Sequence, residues 1–253
     1  MACDLPSPRV VDDGPVVVGT DPADGDVDVD RAAGYRVFFD RNLYPGDVHR
    51  GTVRVQSGAR SAFLTPWFDP VERALVVDQL GASPLAPSVR YRLHVEALRD
   101  LDGVRMAERH EVSFETGVAA EGDPPVDRVG WADVAPILSE SCATEGCHAS
   151  PDPALGLDLS SAEGVRDTAI AVVAEQSRVG VQDGRIWHGA PSLDGLARID
   201  VVGGVGRPAR SYLVYKLLGD PHAAGAPMPP EEPLGRDRVA LITRWIRAGA
   251  PTE

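Results

Sequence analysis

The 253-residue chain holds a single lysine, Lys216, among 25 basic side chains, with only three cysteines and three methionines. That scarcity of lysine reads as the coding bias of a GC-rich genome. Runs of basic residues are also missing: the formal charge is −13 and the pI near 4.9. Binding that depends on neutralising phosphate needs a basic face, so a nucleic-acid partner is excluded and an anionic membrane surface disfavoured. No apolar run approaches the roughly 18 residues of a membrane-spanning helix, and the longest, Ala169-Ile170-Ala171-Val172-Val173-Ala174, has six. No glycine-rich phosphate loop follows a strand and opens a helix, and no elbow frames a serine. Nucleotide and serine-hydrolase chemistry therefore have no support.

What is present bounds the class. Hydrophobic residues make up 43% and charged residues 25%, values of a globular chain and not of a disordered or fibrous one. The 26 glycines and 22 prolines make it rich in loops. The length points to two domains. The chain opens Met1-Ala2-Cys3 and turns polar at once, with no signal peptide as written. A cysteine after a small residue, ahead of a Pro- and Asp-rich stretch, is what remains when a bacterial lipoprotein signal is trimmed. Cys3 is the expected lipidation site, the other reading being a stray terminal thiol.

Residues 10–117 read as β-structure. Tyr35, Val37 and Phe39 alternate, as do Val53 and Val55, Leu75 and Val77, Tyr91, Leu93 and Val95, and Val112 and Phe114. Alternation with period two buries one face and wets the other. Turn signals such as Tyr44-Pro45-Gly46-Asp47 and Asp100-Leu101-Asp102-Gly103 separate the runs, the pattern of a sandwich. Thr20-Asp21-Pro22-Ala23-Asp24-Gly25, Val37-Phe38-Phe39-Asp40, Leu85-Ala86-Pro87-Ser88-Val89-Arg90-Tyr91 and Val112-Ser113-Phe114-Glu115-Thr116-Gly117 follow in order. In that order the stretch resembles the bacterial Ig-like domains of cell-envelope proteins, which implies an all-β Ig-like sandwich acting as a spacer or docking module. The acidic series Asp24, Asp26, Asp28, Asp30 reads as a solvated face, with a calcium site as the alternative.

Residues 118–126, with Pro124-Pro125, read as a semi-stiff linker. From residue 127 to 253 the period turns helical. Trp131, Val134, Ala135 and Leu138 share a face ahead of Cys142, and Ser160 with Glu163 reads as a capping box before an apolar stretch through Val173. Ser211 to Leu218 and Arg236 to Ala248 are two further helices, the second with Val239, Ile242, Trp245 and Ile246 on one face. The Gly-rich insert over residues 179–207 carries no clear period.

The chemistry concentrates in Cys142-Ala143-Thr144-Glu145-Gly146-Cys147-His148. Two thiols followed at once by a histidine is the arrangement that attaches haem covalently: each S–H adds across a porphyrin vinyl group and the histidine offers a proximal nitrogen. The spacer here has four residues instead of the usual two, so the loop must bulge, for which Gly146 is suited. Met228, in Gly225-Ala226-Pro227-Met228-Pro229-Pro230, is the methionine of this half and the candidate distal ligand, with His222 and then His188 as runners-up.

These pieces continue with Gly156-Leu157-Asp158-Leu159-Ser160, then Ser211-Tyr212-Leu213-Val214-Tyr215-Lys216-Leu217, and close with Trp245 to Pro251. In that order residues 127–253 resemble the single-haem cytochrome c domains of bacterial envelope proteins. The resemblance implies a mainly α cytochrome c-like domain carrying one covalent haem c. Cys142 and Cys147 would attach it, His148 and Met228 would be iron ligands, and Trp245 would pack at the haem edge.

The expectation is thus a multidomain periplasmic protein or outer-membrane lipoprotein: an electron carrier in preference to an enzyme, serving a redox partner with a basic docking face. Its membrane contact would be limited to a lipid anchor. The alternative is a haem-free envelope binding or structural module in which Cys142 and Cys147 form a disulfide; a zinc site is the weakest reading, because a fourth ligand is unnamed.

Overall fold

The computed structural model describes residues 14–78, 83–122, 129–178, 180–182, 185–187 and 190–253. Cys3 and His188 lie outside the described residues, as does the 123–128 part of the expected linker.

The alternating stretches form eight strands: β1 (Val17–Asp21), β2 (Tyr35–Phe39), β3 (Val53–Ser57), β4 (Arg60–Ser61), β5 (Thr65–Asp69), β6 (Ala74–Asp78), β7 (Arg90–Val95) and β8 (His110–Glu115). They pair in two antiparallel four-stranded sheets, β1-β2-β6-β5 and β4-β3-β7-β8. The inward residues of both sheets make one core, in which Tyr35, Val37 and Leu75 meet Val55, Leu93 and Val112. The rings of Tyr35 and Phe114, from opposite sheets, sit 4.9 Å apart at their centroids. Burying each such large side chain contributes about 1.5–3 kcal/mol.

One strand breaks the alternation. Ala74, Leu75, Val76 and Val77 of β6 are all buried, although period two would wet Ala74 and Val76. Val76 pairs with Trp67 of β5, and the guanidinium of Arg247 lies 4.5 Å over the Trp67 ring while bonding Asp78 at 3.0 Å. The face expected to be wet carries the second half of the chain.

That half has four short α-helices: α1 (Trp131–Ser141), α2 (Ala162–Thr168), α3 (Tyr212–Leu217) and α4 (Arg236–Arg247). Most of its described residues lie in loops, single 3-10 turns and hairpin strands of two or three residues, so "mainly α" overstates it. The helices at 131, 211 and 236 start within a residue of where the sequence places them. The capping box is corrected: Ser161, not Ser160, is the N-cap of α2, its hydroxyl accepting the Gly164 N–H at 3.0 Å. Ser160 instead donates to Asp158 at 2.6 Å. The apolar run after Thr168 leaves the helix and bridges Ile170 to Ile199 and Val173 to Ala197, an extended path that suits β-branched side chains.

A second core joins α1, α3 and α4 through Val134, Leu138, Val214, Val239, Ile242 and Trp245. It demands close approach: a Cβ added to Gly206 would lie 1.5 Å from the Ile246 carbonyl oxygen of α4. The cores are not insulated from each other. Val71 of the sandwich belongs to the helical core, Ala209 to the sandwich core, and Leu101 packs with Leu193, Tyr212 and Tyr215.

Polar contacts cross the same boundary. Asn42 donates to Asp220 at 2.7 Å, Ser192 to the Leu101 carbonyl at 2.6 Å, and Arg236 to the Val71 carbonyl at 3.1 Å. The start of the expected linker is also held: the Glu121 and Gly122 N–H groups each donate to Asp30 at 3.0 Å. The Asp series therefore serves its own backbone. Asp24 accepts from the Ser113 N–H and Asp26 from that of Ala23, both at 2.8 Å.

Candidate cofactor-binding cleft

Helix α1 delivers the first thiol. Cys142 caps it, its N–H donating to the Leu138 carbonyl at 2.9 Å. The chain then folds back on itself: the Cys147 N–H reaches the Thr144 carbonyl at 3.0 Å and the His148 N–H reaches the Cys142 carbonyl at 3.1 Å. Gly146 makes the turn at φ +77°, in the left-handed region open to glycine. The four-residue spacer is thereby a closed loop with both cysteines and His148 on the wall of one cleft. Downstream, the Leu159 N–H holds the His148 carbonyl at 2.8 Å and so brings the Gly156–Ser160 stretch alongside.

Met228 also lines this cleft. Its backbone N–H donates to the Lys216 carbonyl at 2.9 Å, tying its proline-flanked loop to α3. The cleft has a volume of about 250 Å³, and apolar atoms dominate its lining, among them those of Leu155, Leu157, Leu213 and Pro229. It opens to one side instead of forming a closed cavity.

The protonation states follow from burial. Cys142 is buried, and the loss of water together with the nearby Cys147 pushes its thiol up to about 11, so it stays protonated at neutral pH. Burial lowers the His148 pKa; the Leu157 and Ala154 carbonyls pull the other way, and the positive charges of Arg198 and Lys216 lower it further. The imidazole is thus neutral near pH 7, with a lone pair to offer. Its Nδ1 is buried without a hydrogen-bond partner. Both thiols are free. Free thiols, a neutral imidazole and a thioether around an apolar cleft are a donor set that fits a haem bound through sulfur.

Some expected residues sit elsewhere. Trp245 does not line the cleft; it is fully buried behind it, its ring 6.3 Å from that of Trp131 and its Nε1 donating to the Pro251 carbonyl at 2.9 Å. Its place on the apolar face of α4 makes it a residue of the helical core. His222 is engaged with Asp220 at 2.7 Å and Asp102 at 3.3 Å and lines no part of the cleft. Conversely, the cleft wall includes Arg198 and Lys216, for which the sequence suggested no place in a site. One arginine among many gives no signal, but a lone lysine in an arginine-biased chain was one. Among the described residues no three or more His, Cys, Asp or Glu side chains converge on a metal position, and no helix is long and apolar enough to cross a membrane.

No curated protein matches the chain. Solved structures similar to it include CopC from Methylosinus trichosporium OB3b, at 13% identity and a TM-score of 0.32, covering 44% of this chain and 98% of that one. The N-terminal part of the bacterial S-layer protein SbsC is similar at 14% identity and a TM-score of 0.31, covering 41% of this chain and 24% of its own. A structure of SbsC domains 1–6 matches at the same identity over 14% of its length. The family comparison is specific about the first half: residues 11–116, which hold the two four-stranded sheets, match the bacterial Ig-like domain.

Proposed function

We propose that the protein is an extracytoplasmic electron carrier whose second half binds one haem c in the cleft of Cys142, Cys147, His148 and Met228. The observation that carries this reading is the convergence of two free thiols, the adjacent histidine and a remote methionine on one apolar cleft. When bound, the haem supplies a one-electron iron centre.

The residues of the chain divide the remaining work. Cys142 and Cys147 would hold the haem through thioether bonds, each S–H adding across a vinyl C=C with sulfur to one carbon and hydrogen to the other, so that no oxidant is consumed. His148, neutral at working pH, presents a ring nitrogen. Met228 would offer a thioether, a weak donor that raises the reduction potential of a bound iron. Leu155, Leu157 and Leu213 exclude water, which raises the potential further and limits reorganisation. The net charge of −13 suits transient, salt-sensitive docking of a basic redox partner. The Ig-like half is consistent with an envelope location.

The deciding measurement is a visible spectrum, oxidised and dithionite-reduced, of protein exported alongside the haem-attachment machinery. A sharp reduced α-band that survives acid–acetone extraction is expected, with a weak sulfur-to-iron band toward the red in the oxidised state. Met228→Ala should remove that red band, and His222→Ala should leave it. Absence of haem under those conditions would refute the reading.

A further inference from the structure

Arg198 and Lys216 stand apart from the other cations of the chain. Their relative exposures are 8% and 5%, and both line the cleft. Neither forms an ion pair with a carboxylate among the described residues. Their partners are main-chain carbonyls: Arg198 donates to Gly156 at 2.8 Å, to Thr168 at 2.6 Å and to Leu155, while Lys216 donates to Ala224 at 2.7 Å and to Ala226. Carbonyl dipoles ease the loss of water but cancel no net charge, so two like charges remain buried in the wall of one cleft. Donors are also left over, since an ammonium has three and a guanidinium five. Glu175 is the one carboxylate residue lining the cleft; it is exposed and acts on Arg198 only at a distance.

We propose that Arg198 and Lys216 form an anion subsite in the cleft wall, which takes the carboxylates of a largely apolar ligand. Bracing the loops at 155–156 and 224–226 would need donors, but not two uncompensated positive charges. A ligand with an apolar body and acidic groups supplies the missing charge while its body fills the leucine-lined space. The ligand's identity rests on the haem reading above: there the two propionates are the acidic groups, and their contact with Arg198 and Lys216 fixes which way round the ring enters. The subsite itself depends only on the two cations and the cleft.

The test uses the full chain carrying Cys142→Ala and Cys147→Ala, so that binding is reversible. Ferric protoporphyrin is titrated by its Soret absorbance near neutral pH, and its dimethyl ester in parallel. The diacid should bind about tenfold or more tighter than the ester, as for hydrogen bonds to charged groups. Arg198→Gln and Lys216→Gln should each lose most of that preference and leave ester binding unchanged. Arg198→Lys and Lys216→Arg keep the charge and should retain the preference, which separates charge from bracing. Thermal melts of every variant identify any that do not fold.

Equal binding of acid and ester by the parent chain would overturn the subsite while sparing the haem reading. If neither porphyrin binds this thiol-free chain, the haem reading is judged by the spectrum of the exported protein, and a second probe pair decides the subsite: anilinonaphthalene sulfonate against neutral phenylnaphthylamine. A preference for the sulfonate that both glutamine variants lose supports the subsite, and no preference overturns it.

Discussion

Cys142 and Cys147 are five positions apart yet chemically unlike. The first is buried, with its thiol pushed up to about 11; the second is half-exposed at the tip of the loop. Because the thiolate is the reactive species, maleimide should label Cys147 well before Cys142 in the folded, haem-free protein, and peptide mapping by mass spectrometry would show the order. Equal labelling would mean that the helix end around Cys142 opens freely. His148 adds a pH effect whose direction is set by its lowered pKa. Above the ordinary histidine value of about 6.5 it is neutral whether the chain is folded or not, and it costs nothing. As pH falls through that value the unfolded chain takes up the proton first, so stability is lost on the acid side. His148→Phe should flatten that acid-side loss in urea titrations, and an unchanged profile would contradict it.

The helices show where local sequence suffices and where it does not. The faces of α1 and α4, and Gly249 behind α4, are written in single residues, so the sequence places these helices closely. The start of α2 was misplaced by one residue because Ser160 and Ser161 offer the same hydroxyl, and only the Asp158 carboxylate, which takes Ser160, decides between them. Ser161→Ala should therefore cost about 1 kcal/mol in denaturant unfolding, and Ser160→Ala less. Trp245 shows a similar limit: its helical spacing shows that it is buried but not against what. Packing is tighter still between the hairpin at 201–206 and α4. Gly206→Ala would drive a methyl into the Ile246 carbonyl; a loss of about 1–3 kcal/mol is expected, as for an overpacked core. A fully stable alanine variant would show that α4 can shift away from the hairpin.

Contacts between the two halves run from Ser192 to Arg247, and one group of them reaches the segment that leads into the Met228 loop. Alternating residues told which sandwich positions were inward, but no pattern within either half records that its wet face would be covered, so the docking was invisible until both were placed. Asn42 and Asp102 of the sandwich reach Asp220 and His222, the first turn of that loop, and Lys216 and the Tyr212 hydroxyl hold its middle at Ala224. The His222 pKa is raised, first by its hydrogen bond to Asp220 and then, against some burial, by the charges of Asp220 and Asp102. A raised pKa means that this contact stabilises fully below the unfolded value of about 6.5 and weakens as pH rises through the folded one. That window lies on the alkaline side, opposite to that of His148, so the two can be told apart. Tyr215, buried beneath Asp220, is kept neutral by its own burial and adds no charge over this range. Raising pH from about 6 to 8 should lower the melting temperature of the parent chain more than that of His222→Gln, with Asp102→Asn intermediate. Amide exchange should quicken at Ala223, Ala224 and Met228 over the same range, while the α1 core stays protected. If His222→Gln tracks the parent at every pH, the sandwich does not brace the loop through this histidine, and the Asn42 contact to Asp220 must hold that segment instead.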